Sequence, residues 1–173
     1  MKQNVYWVVE NRFLAGEYPR NMDEKSSLDK IASLIRAGVS AFVDLTEEDE
    51  GLSPYSHLVG AFEGVSHQRF PITDMSVPAG KEITTAILDA VDDHILHNRT
   101  VYLHCWGGVG RTGMIVGCWL ARHGLKGRKA LERLTELWQA CPKSSHRDSP
   151  ETREQIQYIL DWGRNSGDTI LNC

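Results

Sequence analysis

Residues 100–123 read TVYLHCWGGVGRTGMIVGCWLARH. The first six, TVYLHC, are apolar, β-branched or aromatic, which predicts a buried strand. WGGVG follows at 106–110, three glycines in five residues. From 111 to 123 apolar residues point nearly all round a helix: Met114, Ile115, Val116, Cys118, Trp119 and Leu120. A helix of that kind is buried centrally, and Gly124 ends it. A buried strand running through a glycine turn into a buried helix is the unit of a layered α/β fold.

The same alternation extends outward in both directions. YWVV at 6–9 and RFLAG at 12–16 read as short strands, a hairpin turning at Glu10-Asn11. Residues 24–37 read as a helix with Leu28, Ile31, Leu34 and Ile35 on one face and Gly38 as its stop. AFVDL at 41–45 reads as a buried strand, 46–51 as an acidic, solvated turn, 54–62 as a short helix, and HQRF at 67–70 as a strand ending at Pro71. Ile83, Ile87, Leu88, Val91, Ile95 and Leu96 recur at helical spacing between Lys81 and Asn98. A helix over 127–139 turns Ala130, Leu131, Leu134, Leu137 and Trp138 inward, and a last helix begins at Ser149-Pro150 and runs through Ile156, Ile159 and Leu160. The predicted fold is α/β, a central and mostly parallel sheet flanked by helices.

The length of 173 residues suits a single domain, 1–173. A net charge of −4 argues against a nucleic-acid partner. No apolar run spans a bilayer and the N-terminus carries no secretory segment, so no membrane and a cytoplasmic location are expected. Cys105, Cys118, Cys141 and Cys173 show no paired spacing, which argues against structural disulfides and a zinc site.

The glycine loop lies between the carboxyl end of a strand and the start of a helix, where open α/β sheets bind ligands. Glycines 107, 108 and 110 let the backbone curl with its N–H groups inward, as a nest for an anion. The helix N-terminus adds about half a positive charge. Arg111 offers a two-pronged fork to two oxyanion oxygens. In such a field a cysteine, ordinarily near pKa 8.5, falls to roughly 3.5–7.5, so Cys105 is expected to be a thiolate at neutral pH. A thiolate below an oxyanion cradle suits in-line attack on phosphorus. The loop lacks the GxxxxGK[ST] pattern of nucleotide-binding loops.

HCWGGVGRTG, 104–113, resembles the HCxxGxxRT signature of the cysteine-dependent protein tyrosine and dual-specificity phosphatases. The resemblance implies the cysteine-phosphatase fold and a phosphocysteine intermediate. It makes Cys105 the nucleophile and Arg111 the transition-state clamp. Thr112 would hydrogen-bond the sulfur, and His104 would order the loop. Trp106, Gly107, Gly108, Val109, Gly110 and Arg111 would hold the phosphate. No metal or other cofactor is implied, because backbone N–H groups and Arg111 take a metal's place.

Expelling an alkoxide or phenoxide needs a proton donor. FPITDMSVP, 70–78, reads as a turn and resembles the P-I-x-D-x-x-x-P acid loop of the compact dual-specificity phosphatases, especially those like the kinase-associated phosphatase. It names Asp74 as general acid and then base. Asp44 is read instead as capping a turn. In SPETREQ, 149–155, Gln155 either helps hold the attacking water or lies on a solvated helix face. Arg147 reaches the loop or a second phosphate, and Arg12 or Arg20 reads a second anion or sits on a surface strand and turn.

Neither a KNRY-type tyrosine-recognition motif nor a lysine within the signature loop is present. The first absence favours the shallow dual-specificity type. The second ranks phosphoinositides and inositol polyphosphates below phosphorylated protein as partner and substrate. Two rivals remain: an inactive phosphoresidue-binding module, which would have lost the cysteine, arginine or acid, and a rhodanese-type sulfurtransferase.

Overall fold

The structure, a computed structural model, describes residues 4–163; Cys173 lies outside them. Five strands form one sheet in the order β1-β2-β5-β3-β4. They are β1 (Val5–Val9), β2 (Phe13–Gly16), β3 (Val39–Asp44), β4 (Ser66–Arg69) and β5 (Thr100–His104). β1 and β2 make the predicted antiparallel hairpin, and Asn11 supplies its left-handed turn at φ 56°. The pairs β2–β5, β5–β3 and β3–β4 are parallel. The central sheet is therefore mostly parallel, as the alternation of elements predicts.

Side chains sort onto two faces with the period of two that a strand imposes. Phe13, Ala15, Ala41, Val43, Val101 and Leu103 face one core. Leu14, Phe42 and Tyr102, between them in sequence, face the other. The first core is covered by α3 (Lys81–Leu96), α4 (Gly110–Arg122), α5 (Arg128–Trp138) and α6 (Arg153–Trp162). The second is covered by α1 (Glu24–Arg36) and the four-residue α2 (Ser56–Val59).

Helix α4 is buried along almost its whole length, because it packs against α3, α5 and α6 as well as the sheet. Gly117 makes the α6 contact close. A Cβ there would lie 2.4 Å from Cδ1 and 2.8 Å from Cγ1 of Ile159.

Three local expectations are corrected. α1 turns Ser27, Lys30, Ile31 and Leu34 inward and leaves Leu28 exposed. The helix is rotated by the ion pair of Lys30 with Glu17, 2.9 Å, and by the bond from the Asn21 N–H, outside the helix, to Ser27 Oγ, 3.0 Å. α6 starts at Arg153, not at Ser149-Pro150. Its cap is Thr152, in a capping box with Gln155, and the Ser149-Pro150 peptide is cis and belongs to the preceding turn. The acidic stretch 46–51 is not all solvated, for Thr46 and the Glu50 side chain are buried.

Gly117→Ala gains about 0.5–1 kcal/mol of helix preference and loses about 1–3 kcal/mol to overpacking, so net destabilisation is expected. Ile159→Val removes the nearest offending methyl. In a urea-denaturation double-mutant cycle, the two substitutions together should cost less than their sum.

Candidate active site

β5 has β2 on one side and β3 on the other, all three parallel or running into one edge, so their carboxyl ends deliver three chain segments to one place. They are Gly16-Glu17-Tyr18, Asp44-Leu45-Thr46, and the loop from Cys105 to Val109 that opens into α4. This is the crevice at strand ends where α/β sheets take ligands.

Four of the five loop carbonyls from Cys105 to Val109 are held by partners outside the curl. The Cys105 carbonyl accepts from His104 Nδ1, 3.1 Å, and that of Trp106 from the Tyr18 N–H, 2.8 Å. Gly107 accepts from Lys143 Nζ, 2.7 Å, and Val109 from Ser149 Oγ, 2.8 Å. With those carbonyls bound elsewhere, the backbone N–H groups of 106–110 are available to a ligand. None of them donates to another of the described residues. Gly108 makes the curl possible with φ +72°. A Cβ there would also strike the Gly16 carbonyl carbon at 2.4 Å and the Glu17 nitrogen at 2.6 Å. Cys105 sits at the base of the loop, 3% exposed.

Arg111, on the first turn of α4, is 1% exposed. Its Nη1 donates to Glu50 Oε1 and to the Ile72 carbonyl, 2.9 Å, and its Nη2 to Glu50 Oε2, 3.0 Å. Nη2 also lies 2.8 Å from Asp74 Oδ1. Burial alone discourages the guanidinium's charge, but the Glu50 carboxylate overrides it and keeps the pKa above the ordinary value. Arg111 Nε and Thr112 Oγ1 are buried with no hydrogen-bond partner. An unsatisfied buried polar group costs about 1–3 kcal/mol, so two side by side mark a site built for chemistry rather than for stability. The hydrogen bond expected from Thr112 to sulfur is not formed here.

Behind the loop, His104 is fully buried, with Nε2 on the Tyr55 hydroxyl. The partners set its tautomer: Nδ1 donates to the Cys105 carbonyl and Nε2 accepts from Tyr55. Burial lowers its pKa to about 4, outweighing the nearby Asp44 carboxylate. Asp44 caps the turn to Thr46, as expected, accepting from its N–H at 2.9 Å and hydroxyl at 2.6 Å. It also pairs with Arg69 and His67, each at 3.2 Å. Burial would raise the Asp44 carboxyl; the bonds from His67 and Thr46 hold it well below the usual range instead.

A cleft of about 550 Å³ opens over the loop. Asp74, Met75, Trp106, Gly107, Arg20 and Arg147 are among its lining residues. Arg12 is not: it binds the Ile95 carbonyl and Asn98. Arg147 is occupied by Glu151. Gln155 is neither solvated nor in the cleft but fully buried beneath it. Sequence reasoning missed Glu50. Only its place three residues after Glu47, whose N–H it accepts at 2.7 Å, hints that its side chain folds back. Among the described residues, no cluster of side chains suits a metal ion.

A cysteine at the floor of an N–H nest, a buried arginine beside it and a mostly parallel sheet beneath define the cysteine-based tyrosine phosphatase superfamily. Residues 17–125 match the model of the family described as polymorphic toxin system, DSP-PTPase phosphatase, and the chain belongs to that family. It is 34% identical over 125 residues to the putative tyrosine phosphatase 067L of Invertebrate iridescent virus 3, covering 70% of this chain and 47% of the relative. It is 30% identical over 116 residues to phosphatidylglycerophosphate phosphatase PTPMT2 of Arabidopsis thaliana, covering 66% and 46%. The chain thus spans about half the length of these curated relatives. Its fold is similar to that of the kinase associated phosphatase with serine at the catalytic cysteine, at TM-score 0.72, 16% identity and 94% coverage of each chain.

His104 should leave a pH signature. Its folded pKa, about 4, lies below the ordinary value near 6.5. Between those values the unfolded chain binds a proton that the folded chain does not, so stability falls as pH drops from about 6.5 to 4. Asp44, depressed in the fold, adds a loss only at lower pH. Urea midpoints across pH 4–7 should show the first decline in the wild type and a shallower one in His104→Asn.

Proposed function

We propose that this chain is a metal-independent phosphatase that hydrolyses phosphate monoesters on proteins through a phosphocysteine. The observation that carries the reading is the loop itself. Four of its five carbonyls are bound from outside, none of its N–H groups donates to another of the described residues, Cys105 lies at its base, and Arg111 holds Asp74 at the rim.

In the first step Cys105 Sγ attacks phosphorus, the ester P–O bond breaks, and protonated Asp74 gives its proton to the leaving oxygen. The loop N–H groups and Arg111 Nε bind the three equatorial oxygens, over which the charge of the transferring phosphoryl group is spread in the transition state. Glu50 keeps the guanidinium from swinging away. In the second step the Asp74 carboxylate takes a proton from water, the water oxygen attacks phosphorus, and the P–S bond breaks. The Thr112 hydroxyl, unpartnered in this structure, then donates to the departing sulfur.

The preferred substrate is phosphotyrosine, with phosphoserine and phosphothreonine accepted. Trp106 and Met75, 54% and 50% exposed, and Leu52 give the cleft an apolar rim that suits an aryl group. Four cations, Arg20, Lys30, Lys143 and Arg147, face three carboxylates, Glu17, Asp74 and Glu151, in the cleft lining. Lys30 and Lys143 share Glu17, each at 2.9 Å, and Arg147 pairs with Glu151. This leaves little net positive charge for a polyphosphate. One observation favours a second reading, a phosphoinositide or inositol polyphosphate. Arg20 lines the cleft with no acidic partner among the described residues and with Nε unsatisfied.

Phosphate release should be measured side by side from phosphotyrosine peptides, phosphothreonine peptides and inositol polyphosphates. Release from both peptide types, resistant to EDTA and lost in Cys105→Ser, is expected. A wide margin for inositol polyphosphates would replace the protein reading with the second one. EDTA-sensitive activity would overturn the mechanism. Asp74→Ala should lose about 10²–10⁴-fold with alkyl phosphates and far less with p-nitrophenyl phosphate.

A further inference from the structure

Gln155 is fully buried, and its amide joins three parts of the site. Oε1 accepts from the backbone N–H groups of Glu151 and Thr152, both at 3.2 Å. Nε2 donates to the Ser76 carbonyl, 3.1 Å away on the loop that carries Asp74. The same amide lies against Gly110 at the end of the phosphate loop, where a Cβ would approach Oε1 to 2.9 Å and Nε2 to 3.1 Å. A carbonyl oxygen has two lone pairs, and here both are used. Gln155 therefore has no acceptor left with which to orient an attacking water.

The segment around Asp74 needs holding. Met75 stands at φ 59°, in the left-handed region that a non-glycine side chain seldom enters. Upstream, the segment is fastened where the Ile72 N–H meets the Leu45 carbonyl, 3.1 Å, and the Ile72 carbonyl meets Arg111. Downstream, the Ser76 carbonyl is fastened by Gln155. Asp74 lies between the two anchors, half exposed, with Arg111 alone among the described residues on its carboxylate.

We propose that Gln155 is a positioning residue that holds the Asp74 loop over the phosphate loop, so that the Asp74 carboxyl is in place for proton transfer. The proposal rests on Asp74 being the proton donor. It assigns Gln155 a role in the step that expels the leaving group, not in the hydrolysis of phosphocysteine.

The test is the dependence of log kcat/KM on leaving-group pKa across a series of aryl and alkyl phosphates. Gln155→Glu keeps the acceptor that a capping box needs but loses the donor to Ser76. Its slope should become steeper. About tenfold should be lost with alkyl phosphates and about twofold or less with p-nitrophenyl phosphate, a part of the 10²–10⁴ that a positioned acid contributes. Gln155→Met, which cannot form the bond at all, should steepen the slope as well and serves if the glutamate variant does not fold. In an Asp74→Asn background, Gln155→Glu should change the slope no further.

An equal loss for every leaving group would overturn the proposal, because that is what a merely structural role produces. So would a burst of leaving group followed by slow turnover at one common rate, the mark of an impaired hydrolysis step. If Asp74→Asn alone leaves the slope unchanged, the assignment of the acid fails, and the role of Gln155 fails with it.

Discussion

The loop between β5 and α4 can present its N–H groups inward only if its carbonyls are satisfied outside. That one requirement reaches into most of the fold. The outward partners are the His104 ring, the Tyr18 backbone after β2, Lys143 in the turn after α5, and Ser149 before α6. They are drawn from up to some 130 residues of chain, which is why a ten-residue motif needs a whole layered domain around it. The cis turn at Ser149-Pro150 and the late start of α6 are part of the same arrangement, since Ser149 spends its hydroxyl on Val109.

Charge is arranged in two layers around the loop. Nearest the cleft, Arg111 is shared between the buried Glu50 and the half-exposed Asp74. The buried partner fixes the guanidinium, and the exposed one stays at the cleft. Deeper, Asp44 is compensated by Arg69, His67 and Thr46, while His104 stays neutral because burial disfavours its charge. A neutral ring with fixed tautomer can donate steadily to the Cys105 carbonyl, so this inner layer acts on loop geometry more than on its electrostatics.

Much of the site was legible in advance. The spacing of His104, Cys105, Arg111 and Thr112 marked the loop, and the proline-bounded turn of 70–78 marked Asp74, which the fold brings to Arg111. Glu50 was not legible. It lies in a run of like charges, and solvation is the ordinary fate of such a run; only the approach of α4 to the end of β3 gives it a buried cation. Gln155 was legible as a candidate but not in its role, because nothing local says that a helix-capping amide faces another loop.

By itself, the sequence determined what depends on neighbours along the chain. Period-two and helical spacing set the elements, the apolar run 111–123 set the central helix, and glycines set the curl of the loop. The family likeness lies in those same residues. Tertiary structure decided what depends on partners distant in the chain. It chose which face of α1 is buried, where α6 begins, which carboxylate holds Arg111, and which loop Gln155 ties down. The physical reason is that hydrogen bonds and ion pairs act through space over a few ångströms. Residues 61 or 79 positions apart in sequence, as Glu50–Arg111 and Ser76–Gln155 are, leave no periodic trace of such contacts.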